Sequence, residues 1–311
     1  MEITLINTWL VLGPSLVLAI LSGYLSERVG IVNIAINGMM TFGSLFFMIF
    51  SNVFFKLIPN NNAYEWTFLL SFLISSLLST VVGILFALAT VKLKADHVIA
   101  GTGINLLSTG IGLIIADRSS TLFGTSVLSN RYVPKTIIFS GENGGIRLES
   151  LICFLIAMLI IVLVYLIMNF TRLGLRYRAC GENPNAVDAQ GVNVIKYQWI
   201  GLMVVGAIAG LSGSLFAFAY TNAKFTGDVN GLGFIAIALL IVSSWKIIPG
   251  TIIGLAFALL LAYTQQTLGN VSIGYMLRMI PFIVTLVVML LFGKFIKGPK
   301  SAGLHFDKGL R

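Results

Sequence analysis

Long runs without an ionisable residue alternate with short polar connections along this chain. Runs free of Asp, Glu, Lys and Arg cover residues 3–26, 29–55, 66–91, 97–116, 150–171, 197–223, 229–245 and 247–277. Several exceed the roughly 20 residues that cross the ~30 Å hydrocarbon core of a bilayer. The pattern predicts an all-α polytopic membrane protein in which one transmembrane domain, 1–311, has about nine spans: 6–24, 38–55, 66–91, 98–116, 151–170, 199–220, 232–245, 251–268 and 275–292.

The composition agrees with this pattern. Of the 311 residues, 10% are charged and 57% are apolar, whereas a soluble domain carries about 25% charge. This balance excludes a soluble enzyme, a nucleic-acid-binding protein and a disordered chain.

The distribution of the basic residues predicts the orientation in the bilayer. The net charge is +9, and thirteen of the twenty Lys and Arg residues lie on one side of the predicted spans. An excess of Lys and Arg marks the cytoplasmic side. We therefore expect a cytoplasmic membrane location, an external N-terminus, an external loop at 117–149, a cytoplasmic loop at 171–197 and a cytoplasmic tail at 294–311. The external loop either docks a binding protein or caps the bundle.

Two irregular segments, one in each half, interrupt the apolar pattern. The first, 22–43, reads SGYLSERVGIVNIAINGMMTFG, and the second, 222–245, reads NAKFTGDVNGLGFIAIALLIVSSW. The apolar run in the second is about 13 residues, or ~20 Å of helix, which is too short for an unbroken span. Paired broken segments are typical of a transporter binding site, because irregular backbone at membrane depth persists where it lines a cavity. Two ordinary interfacial loops remain the alternative.

Three amides, two in the first irregular segment and one in the fourth predicted span, are candidates for the substrate path. Asn33 and Asn37 are four residues apart and share a helix face, and Asn105 lies near Thr102 in the fourth span. Buried amides require partners, so these side chains either contact substrate or form hydrogen bonds between helices. The GxxxG spacings at 206–210 and 250–254 instead predict close helix packing.

Motifs of catalysis and of ATP binding are missing from the sequence. It contains no HExxH, GxSxG or GxxxxGK[ST] pattern, and no Asp or Glu falls within a predicted span. We expect no catalytic residue, metal site or cofactor in this chain. A secondary transporter and a membrane-embedded enzyme are both disfavoured, the first also because intramembrane acids commonly carry its coupling ion.

The loop at 171–197 carries the signals of a short helix outside the membrane. Asn183 is a good N-cap, Pro184 suits the first helical position, and Gly191 suits the position after the end. A helix at 184–190 with no core of its own either docks on a cytoplasmic partner or simply links two spans. Its small apolar residues available for contact are Ala186, Val187 and Ala189.

Four blocks of this sequence together resemble a known family. They are SERVGIVNIAINGMM, IAGTGINLL, RACGENPNAVDAQGVNV with the following GAIAGLSGSL, and GLGFIAIALLIVSSWKIIPG. In this order they resemble the permease subunits of ABC importers for nucleosides, which are related to simple-sugar and branched-chain amino-acid permeases. The resemblance covers residues 22–263 and is greatest to the shorter of two different paired permeases. It implies a type II-like ABC importer permease fold.

The resemblance also implies partners and functional residues. From it we expect three partners: a second, different permease, a cytoplasmic ATPase that binds ATP and Mg²⁺, and an external substrate-binding lipoprotein. The coupling helix in the ATPase cleft would comprise Glu182, Asn183, Pro184, Asn185, Ala186, Val187, Asp188, Ala189, Gln190 and Gly191. The family pattern has Glu-Gly where this chain has Asn37-Gly38, which argues against a charge-based role there. The implied mechanism is alternating access around Asn33, Asn37, Thr102, Asn105 and Phe234.

Overall fold

The structure is a computed structural model, and it describes residues 2–58, 66–119, 128–132, 136–141, 144–220, 224–267, 283, 286–287, 290 and 298–306. These residues are mainly helical, with one β-hairpin. Ten α-helices occur among them: α1 (Glu2–Arg28), α2 (Ile36–Leu57), α3 (Thr67–Ala87), α4 (His97–Asp117), α5 (Leu148–Phe170), α6 (Arg172–Glu182), α7 (Pro184–Ala189), α8 (Val194–Ala219), α9 (Leu232–Val242) and α10 (Ile247–Thr267). The hairpin consists of β1 (Ile137–Gly141) and β2 (Gly144–Arg147).

Seven of the nine predicted spans are helices long and apolar enough to cross a membrane: α1, α2, α3 with its π-helical end, α4, α5, α8 and α10. The seventh predicted span, 232–245, is the short helix α9, which has 11 residues. At 1.5 Å per residue it is about 16 Å long, half the thickness of the hydrocarbon core. The ninth, 275–292, lies outside the described residues apart from four positions. The all-α polytopic fold is confirmed.

The central helices are α1, α2 and α8. In the most apolar 18-residue stretch of these helices, 67%, 67% and 72% of the residues are buried, against 22% in both α4 and α5. Helix α8 packs against α1, α2 and α3, while α10 and α5 pack against α1. The outer helices therefore present apolar side chains to the bilayer and the central helices to one another.

Small residues allow the central helices to approach closely. Gly206 packs on Gly83 of α3, a Cβ on Gly210 would overlap Ser79, and one on Gly43 of α2 would overlap the main chain of Gly210. The first GxxxG spacing is thus confirmed as a packing motif. The second also packs closely, between α10 and α1, through Gly250, Gly254, Val17 and Ile20.

Both irregular segments are breaks between helices. Helix α1 extends to Arg28, and α2 begins at Ile36 after a non-helical link at 29–35. The second segment is non-helical from Lys224 until α9 starts at Leu232. Each link leads into the N-terminus of a helix, α2 after the first link and α9 after the second.

The loop at 171–197 is more ordered than the sequence predicted. Helix α6 occupies its first half, and α7 begins at Pro184, with the Asn183 side chain accepting a hydrogen bond from the Ala186 N–H at 3.1 Å. Gly191 follows with a φ of +77°. The predicted helix at 184–190 is confirmed, one residue shorter. We call the end of the bundle that holds α6 and α7 the α7 end.

Candidate functional site

The two broken segments meet in the interior of the bundle. The Asn37 side chain, in the first turn of α2, accepts a hydrogen bond from the Gly233 N–H at 3.2 Å, in the first turn of α9. A Cβ on Gly233 would overlap the main chain of Asn37. The N-terminal ends of two helices, one from each half of the chain, are therefore in direct contact.

Asp228 joins these ends further. Its Oδ1 accepts hydrogen bonds from the Asn37 amide at 2.7 Å and from the Thr41 hydroxyl at 3.4 Å, and its Oδ2 accepts one from the Gly231 N–H at 2.9 Å. The carboxylate thus satisfies an N–H at the start of α9, where the helix dipole favours negative charge. We call Asn37, Thr41, Asp228, Gly231 and Gly233 the Asp228 cluster.

Asn105 holds the start of α2 against α4. Its Oδ1 accepts a hydrogen bond from the Gly38 N–H at 2.7 Å, and its Nδ2 donates to the Ile34 carbonyl at 3.1 Å. The Gly38 N–H and the Ile34 carbonyl lie at the start of α2, where main-chain groups lack hydrogen-bond partners within a helix. Asn105 lies about 12 Å along α4 from His97, at 1.5 Å per residue. The break therefore lies deep within the apolar part of the bundle.

The other predicted path residues lie in different environments. Asn33 is 1% exposed, and its Oδ1 has no hydrogen-bond partner among the described residues. Thr102 is exposed on the outer face of α4 and donates to the Ile99 carbonyl at 3.0 Å. Phe234 is 48% exposed in the first turn of α9. The structure brings Asn37 and Asn105 together at the start of α2, while Thr102 and Phe234 are exposed.

A second polar cluster lies at the α7 end of the bundle. The Trp245 indole N–H donates to Glu27 at 2.5 Å, and the Arg28 guanidinium donates to the Trp245 carbonyl at 2.8 Å. The same guanidinium lies 3.7 Å from the Glu182 carboxylate. This Arg28 hub, defined by Glu27, Arg28, Glu182 and Trp245, connects the ends of α1 and α6 with the segment that follows α9.

Helix α7 and the adjacent α6 enclose an open surface groove. Its volume is about 550 Å³, and α6 and α7 supply most of its lining. Val187 is 8% exposed because it packs against the bundle, so it is not available for contact, contrary to expectation. Ala186 and Ala189 are exposed as predicted. Asn185 and Gln190 beside them are exposed as well, so the exposed surface of α7 combines two small apolar side chains with polar ones.

Sequence reasoning missed Asp228 and the Arg28 hub. Asp228 stands three residues before Gly231 in a glycine-rich stretch ahead of an apolar helix, a spacing typical of an acidic residue bonding a helix N-terminus. That local signal indicates the bond to Gly231. It carries no information about Asn37, which is 191 residues away.

Comparison with known proteins gives consistent matches over nearly the whole chain. An uncharacterized protein of Mycoplasma genitalium is 50% identical over 307 residues, covering 98% of both chains. The nucleoside ABC transporter permease protein NupC of Lactococcus lactis is 32% identical, over 98% of this chain and 96% of its own. The guanosine ABC transporter permease protein NupQ of Bacillus subtilis is 29% identical, over 97% and 96%.

No solved structure matches the chain. The family model that does match describes the permease component of branched-chain amino acid transport systems, and it covers residues 5–290. This match includes both broken segments and α7. Because it covers most of the chain, the chain belongs to the family of branched-chain amino acid transport system permease components.

Proposed function

We propose that this chain is one permease subunit of an ATP-driven importer that moves nucleosides across the bacterial cytoplasmic membrane by alternating access. The observation that carries the proposal is the contact of α2 and α9 at the Asp228 cluster. Two helix N-termini that meet inside a bundle form a site at which a substrate can be bound and released to either side. Opening requires only that these ends separate.

The substrate class rests on the names of the relatives and on the chemistry of the predicted path. NupC and NupQ, which align over nearly their whole lengths, are named for nucleosides and guanosine. A nucleoside is neutral, carries a flat ring and presents several hydroxyl groups. The amides of Asn33 and Asn37, the Thr102 hydroxyl and the Phe234 ring suit hydrogen bonding and stacking with such a molecule.

The proposal places the α7 end in the cytoplasm, with the N-terminus outside and the C-terminus inside. Its support is the basic charge at that end, where described residues include Arg28, Lys92, Arg172, Arg176 and Lys196, in agreement with the positive-inside rule. There α7 would dock on the ATPase, which binds ATP and Mg²⁺. A second, different permease would complete the membrane core, and an external lipoprotein would deliver the substrate.

The coupling route begins at α7 and ends at the Asp228 cluster. Movement of α7 displaces Glu182 at the end of α6, and the 3.7 Å pair with Arg28 transfers this displacement to α1. Arg28 also holds Trp245, just beyond α9. Because α9 is short and begins at the cluster, a shift at its Trp245 end changes the position of Gly231 and Gly233. ATP turnover would thus open and close the contact between α2 and α9.

Transport assays on the assembled complex test this function. The chain should co-purify with an ATP-hydrolysing subunit, and proteoliposomes of the complex with its binding protein should accumulate radiolabelled uridine, adenosine or guanosine only when ATP is supplied. Glucose and leucine should not compete. ATP-independent uptake would contradict the importer assignment, and competition by glucose or leucine alone would contradict the nucleoside assignment.

The predicted path and coupling helix have separate tests. Asn33→Leu with Asn37→Leu should reduce uptake at least tenfold without loss of the co-purified ATPase, and unchanged uptake would refute the path. Replacing residues 182–191 with a Gly-Ser linker of equal length should abolish the stimulation of ATPase activity by substrate and binding protein. Normal stimulation in that variant would refute the coupling role.

A further inference from the structure

The described part of the C-terminal tail, residues 298–306, lies across the α7 end of the bundle. We call this segment the C-terminal strap. Its Ser301 N–H donates to the Gly181 carbonyl at 3.0 Å, and its Ser301 hydroxyl donates to the Glu182 carbonyl at 3.1 Å. Both acceptors belong to the last turn of α6, directly before α7. The strap is therefore attached to the start of the proposed coupling helix.

The same strap contacts both broken segments. The Gly303 N–H donates to the carbonyl of Gly30, in the link between α1 and α2, at 3.1 Å. At the other end of the strap, Gly298 lies against the Trp245 ring, where an added Cβ would come within 3.1 Å of the indole. Trp245 follows α9. Nine residues of tail thus join the α6–α7 junction to the link before α2 and to the turn after α9.

The far end of the strap is also fixed. His305 forms a 3.0 Å hydrogen bond with the Ala95 carbonyl, and its ring centroid lies 4.8 Å from that of His97 at the start of α4. Phe306 packs against the hydrophobic core. His97 begins α4, the helix that carries Asn105. Through contacts at both of its ends, the strap connects elements that are distant in sequence.

We propose that the C-terminal strap is a positioning element that couples movement of α7 to the two broken segments. This inference rests on the proposed function and extends it to a segment outside the predicted spans. The strap provides a second connection beside the Arg28–Glu182 pair, which is partly exposed and is therefore weak by itself. Its main-chain hydrogen bonds to Gly181 and Gly30 cost little side-chain entropy, and the contact of Gly298 with the Trp245 ring connects these two positions to the turn after α9.

Truncation provides the first test, in the complete complex. Deleting residues 298–311 removes the strap, whereas deleting residues 307–311 retains it and serves as the matched control. The longer deletion should leave the ATPase subunit bound but reduce nucleoside transported per ATP hydrolysed at least tenfold. The control should stay within twofold of wild type. An unchanged ratio in the longer deletion, or loss of the ATPase subunit, would overturn a coupling role.

A point variant keeps the proposal testable if the truncated chain does not fold. Gly303 has a φ of +86°, a conformation that β-branched residues adopt only with strain. Gly303→Val should dislodge the strap and lower the transport-to-hydrolysis ratio at least threefold. Leu304→Ala is the control, since Leu304 is 65% exposed. Equal ratios in the two variants would contradict the proposal.

Hydrogen exchange separates this inference from the nucleoside assignment, because it requires no cargo. Trapping the ATPase with ATP and vanadate should alter amide exchange in α7, at 33–38 and at 229–235 of the wild-type complex. In Gly303→Val the change in α7 should persist, while the changes at 33–38 and 229–235 should be lost. If they persist, the strap does not carry the movement, whatever the complex transports. If wild-type complex imports no nucleoside but the exchange pattern is as expected, only the substrate assignment fails.

Discussion

Removal of the Asp228 carboxylate should open the contact between the two broken segments. Asp228→Ala eliminates the acceptor at 2.7 Å from the Asn37 amide and at 2.9 Å from the Gly231 N–H. The Asn37 side chain would retain only its own 3.2 Å bond from the Gly233 N–H. The closed arrangement of α2 and α9 therefore loses its charged connection, while the helices themselves are unchanged.

The size of this effect follows from the bond that crosses between the two segments. The Asn37 amide bond joins α2 to Asp228, whereas the Gly231 bond stays within the second segment. A hydrogen bond to a charged group contributes about 1.5–3 kcal/mol. Asp228 is partly exposed, so the closed state should lose about 2 kcal/mol, toward the low end of that range. At 1.4 kcal/mol per tenfold, the open population rises by roughly 30-fold. Asp228→Asn retains one acceptor oxygen and should give an intermediate increase.

Cysteine labelling in proteoliposomes measures that population. Thr41 is fully buried beside Asp228, and the two native cysteines are buried as well. In a Thr41→Cys background, membrane-impermeant maleimide should react at least tenfold faster when Asp228→Ala is added. The Thr41→Cys single variant is the reference. Equal labelling rates would refute the idea that Asp228 holds the two segments together.

Three further predictions concern stability, measured by thermal unfolding in detergent. Gly213→Ala should lower the melting temperature by the equivalent of about 1–3 kcal/mol, because a Cβ there overlaps the Met40 carbonyl; Gly103→Ala, with nothing within 4 Å, should not, and equal effects would contradict the packing. The Ile99 and Val98 N–H groups hold the pKa of Asp96 below its usual value, so this cap should weaken as the pH falls below about 4, and Asp96→Asn should lessen the acid sensitivity. Burial raises the pKa of the Cys180 thiol from 9.0 to about 11; unfolding then releases a proton between these values, so stability should fall as pH rises through that interval, and a slope unaltered in Cys180→Ser would contradict this.

Local signals allowed the sequence to predict much of the fold. Apolar length predicted the spans, glycine interruptions predicted both breaks, and Asn183 with Pro184 predicted α7. Each of these features depends on residues within a few positions of one another. Helix α9 was predicted as short because its apolar run is short. In each case the physical cause lies within a single helix or turn, and the sequence displays it directly.

Features that depend on long-range contacts could not be predicted in this way. Thr102 is exposed on α4. Because α4 is apolar on most faces, its sequence does not indicate which of these faces the bundle covers. Val187 was expected to be available because the short helix has no core of its own, yet it packs against the bundle. The strap was predicted only as part of a cytoplasmic tail. Its main-chain hydrogen bonds can form with any sequence, and the contacts of His305 and Phe306 leave no local pattern that would identify their partners.

Asp228 changes what the low charge content of the predicted spans implies about the substrate. No Asp or Glu falls within a predicted span, so the sequence indicated a substrate path without acids. The structure instead places one carboxylate at the meeting point, where the α9 N-terminus and the Asn37 amide stabilise it. Its bond to the Asn37 amide must break when α2 and α9 separate, which leaves a negative charge facing the opening. That charge repels phosphate and carboxylate groups but accepts hydrogen bonds from hydroxyl groups. The presence of this carboxylate therefore favours a neutral molecule that carries hydroxyl groups.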